Sequence, residues 1–154
     1  MKKNLLIIAL AAFSTTFLVS CDKVDGTSIV PVFDVINSSN DNPAPGDSVN
    51  FTAHQAVTGK LINATTYTWS FRYSYFKEDA MTADTVVVKS VQTNYDGIDS
   101  SDPKMGFRVP SNIAGASFVV AINASYSLSG QTSEGAIYGH ATRSRNFNIN
   151  YPTD

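Results

Sequence analysis

The stretch that decides the fold is residues 66–76, which read TYTWSFRYSYF. Aromatic side chains occupy every second position from residue 67 to residue 75, and Thr, Ser and Arg stand between them. Successive side chains of a β-strand point to opposite faces, so this period of two predicts a strand with one aromatic and one polar face. We expect Trp69 and Phe71 to lie in a packed core.

The same alternation recurs on both sides of this stretch, and no window of eleven or more residues after Ile29 has the apolar spacing of a helix. The predicted strands are 30–36, 48–53, 66–76, 85–93, 105–109, 117–128 and 136–149. Stretches rich in turn residues separate them at 37–47, 94–104 and 129–135. About seven strands at this spacing predict an all-β, antiparallel, two-sheet sandwich.

Three of these strands have an apolar face that we expect to meet in the interior of the sandwich. The expected core residues are Val49, Phe51 and Ala53; Tyr67, Trp69, Phe71, Tyr73 and Tyr75; and Phe118, Val120, Ile122, Ala124, Tyr126 and Leu128.

A family resemblance supports this fold. The Pro-Gly turn and alternating strand of residues 45–53, followed by Tyr67-x-Trp69-x-Phe71, resemble the opening of an immunoglobulin-like domain of the polycystic-kidney-disease (PKD) type. The resemblance covers residues 45–71 and implies a single immunoglobulin-like β-sandwich that serves as a structural or binding module, without catalytic residues. After Phe71 the family usually continues with a Gly-Asp-Gly turn, whereas residues 72–75 lengthen the strand here.

The N-terminus has the pattern of an export signal. Lys2 and Lys3 precede an uncharged apolar stretch, residues 5–18, which is shorter than the ~20 residues that span a bilayer and typical of a signal peptide. The stretch ends in LVSC at 18–21, which resembles the lipobox of bacterial lipoproteins. That resemblance implies cleavage before Cys21, acylation of its sulfur and new amino group, and attachment to a membrane by lipid such as palmitate. The alternatives are an ordinary cleaved signal or a buried free thiol.

The predicted domain organisation follows from this signal. Residues 1–20 form the lipoprotein signal peptide, residues 21–28 the lipidated Cys21 with a polar tether, and residues 29–154 the immunoglobulin-like domain. Acidic residues just after the cysteine direct lipoproteins of some Gram-negative phyla to the cell surface, and Asp22 and Asp25 fit that pattern loosely because Lys23 interrupts them. We therefore expect an outer-membrane protein on the cell surface, with the periplasmic leaflet as the alternative.

Composition excludes several classes of function. The chain has 154 residues, of which 43% are hydrophobic and 16% charged, and a net charge of −2; this is enough for one domain and too little for a two-domain enzyme. Lys and Arg number 11 against 13 acidic residues, so no basic excess supports nucleic-acid binding. The single cysteine excludes an internal disulfide.

The sequence lacks the common catalytic motifs, and we expect no enzyme. The two histidines, His54 and His140, are expected to have surface or hydrogen-bonding roles. No Gly-x-Ser-x-Gly, His-Glu-x-x-His or phosphate-binding glycine loop occurs in the sequence. A small hydrolase is accordingly the least favoured class.

One acidic loop is the candidate metal site. Asn94, Asp96, Asp99 and Asp102 offer oxygen ligands of the kind that Ca²⁺ takes. Their spacing does not match an EF-hand, and the alternative is a solvated polar turn. No other cofactor is expected.

The aromatic row supplies the candidate ligand site. Five alternating aromatic residues extend over about 27 Å at ~3.4 Å per residue, so Tyr73, Tyr75 and Phe76 are expected to run past the core, where aromatic rings can stack on a glycan. The alternative is that these tyrosines cap the core with their hydroxyls in water. Arg143 and Arg145 alternate on the last predicted strand, where they would dock an acidic partner or prevent unwanted strand pairing.

Together these features predict a lipid-anchored, non-catalytic cell-envelope protein. It would be a binding or accessory subunit of an outer-membrane assembly, such as a glycan or nutrient uptake complex, with a transporter or other lipoproteins as partners. The alternative is a structural or adhesive surface protein of the pilus or matrix type, which would pair through an exposed strand edge.

Overall fold

A computed structural model of the chain describes residues 26–76, 83–113, 115 and 117–150. Its strands are β1 (Val32–Ser38), β2 (Ser48–Val57), β3 (Ile62–Phe76), β4 (Ala83–Asp96), β5 (Lys104–Arg108), β6 (Ser117–Leu128) and β7 (Tyr138–Asn148). Each of the seven predicted strands is confirmed, with boundaries that differ by a few residues. Within the described residues, no helix is long and apolar enough to cross a membrane.

The strands form two antiparallel sheets. One sheet has the order β1-β2-β5 and the other the order β4-β3-β6-β7. In the lettering of immunoglobulin domains these are the A-B-E and C′-C-F-G sheets, in which the fourth strand joins the C-F-G sheet. The all-β sandwich predicted from the sequence is therefore confirmed.

The core lies between the sheets and consists mainly of aromatic and β-branched side chains. Trp69 and Phe71 of β3 are buried as expected, and the Phe71 ring stacks on Phe107 of β5 with ring centroids 4.3 Å apart. All of the core residues predicted on β2 and β6 are buried. Alternation alone therefore identified the inner faces of both strands, because each pleated strand has one buried and one solvated side.

The antiparallel register gives the sandwich two ends. The N-terminal end contains the entry to β1 and the loops 58–61, 97–103 and 129–137, since Val32 pairs with Val57 and Ser127 with Tyr138. The opposite end, called the hairpin end here, contains the segments 39–47 and 109–113, the last described residues of β3 and the first of β4.

The chain is fastened to the domain before β1 begins. Thr27 bridges Gln131, and Ile29 bridges Lys60. Ser28 is only 4% exposed, and its hydroxyl donates to the Leu61 carbonyl and accepts from the Gly130 amide. Residues 27 and 28, which the sequence predicts to lie in a tether, are thus bonded to the body of the domain.

At the hairpin end β3 and β4 extend beyond their neighbour. The pairing of β3 with β6 ends at Tyr73, opposite Phe118, whereas the pairing with β4 continues to Phe76, opposite Ala83. The last residues of β3 therefore belong to a two-stranded ribbon that projects past the four-stranded sheet.

The two long sides of the sandwich are each closed by a cation. Lys89 on β4 donates its Nζ to the Gly106 carbonyl of β5 at 3.1 Å. Arg145 on β7 donates to the Ile36 carbonyl of β1 at 2.9 Å and to Asp41 at 2.7 Å. Each cation thereby donates a hydrogen bond to a backbone carbonyl on an edge strand of the three-stranded sheet. Both groups that Arg145 binds belong to this chain.

Candidate functional site

The three predicted glycan-contacting residues occupy the ribbon and its base. Tyr73 is half-buried and packs against the core, with its ring centroid 5.8 Å from that of Phe118. Tyr75 and Phe76 continue β3 as backbone partners of β4, and their side chains lie outside the described atoms. Glycan stacking on the ribbon stays a prediction, and Tyr73 serves at least in part to cover the core.

The acidic residues of the candidate calcium site bind different partners in the fold. The Asn94 Oδ1 accepts from Thr66 on the neighbouring strand, at 3.0 Å, and the Asp99 Oδ1 accepts from the amide and hydroxyl of Ser101. Asp99 and Asp102 line one open depression of about 680 Å³, which Asn94 and Asp96 do not line.

Across the described part of the chain, no group of three or more His, Cys, Asp or Glu side chains is arranged to hold a metal ion. Calcium binding stays a prediction that melting experiments can test.

Asp102 instead fastens its loop to β2. Its Oδ1 accepts a hydrogen bond from the backbone amide of Gln55 at 2.8 Å, and its Oδ2 lies 3.1 Å from the His54 Nδ1. The hydrogen bond to Asp102 raises the pKa of His54 above its ordinary value of 6.5. The Gln55 amide, with the His54 bond as a smaller contribution, lowers the pKa of Asp102.

Beneath that loop lie three buried polar atoms without a hydrogen-bond partner among the described residues. These atoms are the Gln55 Oε1 and the hydroxyls of Tyr67 and Tyr126. Burial raises the pKa of both tyrosines, and the Asp99 carboxylate raises them further. Both phenols stay protonated at neutral pH and keep a hydrogen to donate.

The outer face of the four-stranded sheet brings together polar residues that the sequence did not single out as a group. The Ser125 hydroxyl lies 3.2 Å from the His140 Nδ1, and Thr142 donates to the Asn123 Oδ1 at 2.9 Å. These four residues line a shallow depression of about 310 Å³ between β6 and β7. Sequence spacing could not reveal it, because the strand register alone brings Ser125 opposite His140.

The serine–histidine contact is not a catalytic triad as it stands. Within the described part of the structure no carboxylate bonds to His140, and the carboxylate that bonds a histidine, Asp102, belongs to the His54 pair. A nucleophilic serine needs a base that a third group orients, whereas among the described residues the serine contacts His140 and the carboxylate contacts His54.

Comparison with known proteins gives likeness in fold alone. Neither the protein-family models nor the curated protein sequences contain a match to the chain. A Paenibacillus sp. cycloisomaltooligosaccharide glucanotransferase, complexed with cycloisomaltoheptaose, matches with a TM-score of 0.47 and 16% identity over 81% of this chain. The chain spans only 15% of the length of that enzyme.

Two further solved structures are similar. Spo0M, a sporulation control protein from Bacillus subtilis, has a TM-score of 0.39 and 15% identity over 84% of this chain and 51% of its own. A cohesin module from a family 33 glycoside hydrolase of Clostridium perfringens has a TM-score of 0.40 and 14% identity over 77% of this chain and 98% of its own. At these identities the likeness concerns the β-sandwich fold.

Proposed function

We propose that this chain is a lipid-anchored, non-catalytic binding or accessory subunit of a bacterial outer-membrane assembly. The observation that carries the proposal is where the two ends of the sandwich lie relative to Cys21. The candidate lipidation site, Cys21, lies outside the described residues and five positions before Gly26, where the chain reaches the N-terminal end of the sandwich. An anchor there would hold the N-terminal end near the membrane and direct the hairpin end away from it.

The short tether strengthens this arrangement. Residues between Cys21 and Gly26 reach less than ~20 Å when fully extended. Because Thr27 and Ile29 are bridged to the domain, the sandwich would stay within that distance of the lipid surface. A partner that contacts the domain would accordingly be embedded in the same membrane or would approach the hairpin end from outside.

The membrane part of the proposal is tested by fractionation of the native bacterium that expresses a tagged chain. The wild-type chain should incorporate labelled palmitate and stay in the outer-membrane fraction until detergent is added, whereas a Cys21→Ala variant should lose both properties. A Ser20→Ala variant is the matched control, since it keeps the cysteine. Palmitate incorporation into the Cys21→Ala protein would refute lipid anchoring at this residue.

The accessory role is tested by purification of the tagged chain in mild detergent and identification of what comes with it. A transporter or second lipoprotein in stoichiometric amount supports an accessory subunit. A solitary protein contradicts that role and leaves a free-standing binder. The double variant Tyr73→Ala/Tyr75→Ala then shows whether the ribbon contacts the ligand.

The structural or adhesive alternative has one observation in its favour. β4 is 14 residues long and lies at the edge of the four-stranded sheet, with Val87 on it 60% exposed. An exposed strand edge of this length can accept a strand from another chain. Polymers of the purified chain that disappear in a Val87→Lys variant would favour this alternative.

A further inference from the structure

The middle of the outer face of the four-stranded sheet is an uncharged polar surface, and the same face carries Asp96 on β4 and Arg72 on β3 to either side of it. Two cross-strand rows run over this middle part, each with one residue from β4, β3, β6 and β7 in that order. The rows are Asn94–Thr66–Ser125–His140 and Gln92–Thr68–Asn123–Thr142. None of these positions carries Asp, Glu, Lys or Arg, although 16% of the chain is charged. We call these rows the polar face.

One part of the polar face is a shallow depression. The depression between β6 and β7 has a volume of about 310 Å³, near the lower limit of ~300 Å³ for small-molecule pockets. Tyr138 precedes His140 on the same side of β7 and is 64% exposed, the highest exposure among the large apolar side chains described. Residues two apart on a strand are about 7 Å from each other, so Tyr138 stands next to His140 on this face, beside the residues that line the depression.

The side chains in the depression are held in place before any ligand arrives. Thr142 binds the Asn123 Oδ1, which leaves the amide nitrogen of Asn123 as a donor. Ser125 binds the His140 Nδ1, which leaves Nε2 of that ring for a ligand. Groups that are already oriented lose less conformational entropy on binding.

The chemistry of this surface selects the ligand class. Binding of a phosphate or sulfate group would require charge-assisted hydrogen bonds from Arg or Lys, and neither residue occurs in the rows. A protein partner would call for several buried aromatic or aliphatic anchors, whereas one exposed ring stands beside the depression. A sugar has an apolar ring face that stacks on an aromatic side chain and hydroxyls that bond to amide and imidazole nitrogens.

We propose that the depression between β6 and β7 binds a neutral glycan, which stacks on Tyr138 and accepts hydrogen bonds from Asn123 and His140. The inference rests on the proposed function of the chain as a binding module, and it supplies the ligand class of that module. It also locates the glycan on the polar face and not on the β3–β4 ribbon.

The test uses full-length protein in mild detergent and affinity electrophoresis through gels that contain soluble starch, dextran, laminarin, mannan or xylan, with chondroitin sulfate as the anionic probe. At least one neutral polysaccharide should retard the wild-type protein. For that polysaccharide, Tyr138→Ala should weaken binding by about tenfold and Asn123→Ala by about fivefold, as expected for the loss of one stacked ring and one neutral hydrogen bond. Tyr138→Phe should retain binding.

Asn50→Ala is the matched control for Asn123→Ala, because Asn50 is exposed on the three-stranded sheet. It should bind like the wild type, and equal melting temperatures should show that each variant is folded. Loss of binding in Asn50→Ala, full binding in Tyr138→Ala, or loss confined to Tyr73→Ala/Tyr75→Ala would overturn the proposed location.

Two other results overturn the ligand class. Retardation by chondroitin sulfate alone would show an anionic ligand, and retardation by none of the probes would overturn the assignment of a neutral glycan. Neither result affects the proposed lipid anchor, which fractionation tests, or the proposed accessory role, which co-purification tests.

Discussion

Truncation of Arg145 should destabilise the domain although this side chain lies on an edge strand. Its guanidinium donates to the Ile36 carbonyl and to the Asp41 carboxylate, so it ties the edge of one sheet to the edge of the other. A hydrogen bond that involves a charged group contributes about 1.5–3 kcal/mol. The Asp41 side chain is 62% exposed, and an ion pair this exposed contributes only about 0–1 kcal/mol.

The expected cost of Arg145→Ala is therefore about 2 kcal/mol, most of it from the bond to the carbonyl. For a domain of this size that corresponds to a melting temperature lower by about 8 °C. Urea unfolding followed by fluorescence measures it directly, because Trp69 is the single tryptophan and is 1% exposed. Sodium chloride at 1 M should change the cost little, since it screens mainly the exposed pair.

Arg143→Ala is the matched control. Arg143 stands two positions earlier on the same strand, is exposed, and makes no hydrogen bond or ion pair with the described residues. It should change the free energy of unfolding by less than about 0.5 kcal/mol. Equal losses in the two arginine variants would refute the reasoning, and so would an Asp41→Ala variant that loses as much as Arg145→Ala.

Three further predictions concern polar groups at or near the N-terminal end. Tyr126→Phe removes a buried hydroxyl without a partner, so the free energy of unfolding should stay equal or rise by up to about 1 kcal/mol, and a loss would reveal a bonding partner such as a buried water. The raised pKa of His54 means that its bond to Asp102 stabilises the fold below pH 6.5 and that this contribution disappears as the pH rises through the folded-state value. An NMR titration should show that value, and Asp102→Asn should remove most of the shift and leave the smaller contribution of Asp34. Millimolar Ca²⁺ should raise the melting temperature if the acidic loop binds it, and a constant melting temperature would remove that hypothesis.

The sequence predicts the strands well because alternation reflects burial. The aromatic and β-branched positions of β3 and β6 differ sharply from the Ser, Thr and Asn between them, so their inner faces are legible without a structure. The boundaries of the strands are harder to predict from the sequence. The first strand was predicted from residue 30 but begins at Val32, just after Pro31, which has no amide to donate.

The partners of polar side chains could not be predicted from the sequence, because they depend on contacts between distant parts of the chain. Alternation places Arg145 on the last strand, but its partner, the Ile36 carbonyl, lies 109 positions away. Ser125 and His140 become neighbours only through the register of β6 and β7. Periodicity tells which face a residue occupies, but it does not tell which residue lies opposite on the next strand.

The fastening of the chain before β1 determines how the domain would respond to mechanical force. Tension on the N-terminus runs along the axis of β1, and the backbone hydrogen bonds to β2 lie perpendicular to that axis. Such bonds are loaded in shear, so they share the force and must break together, whereas a hairpin pulled open from one end loses its bonds one by one. With the Ser28 bonds at one end of β1 and the Arg145 bond near the other, a load on an anchored domain would be spread over the whole strand.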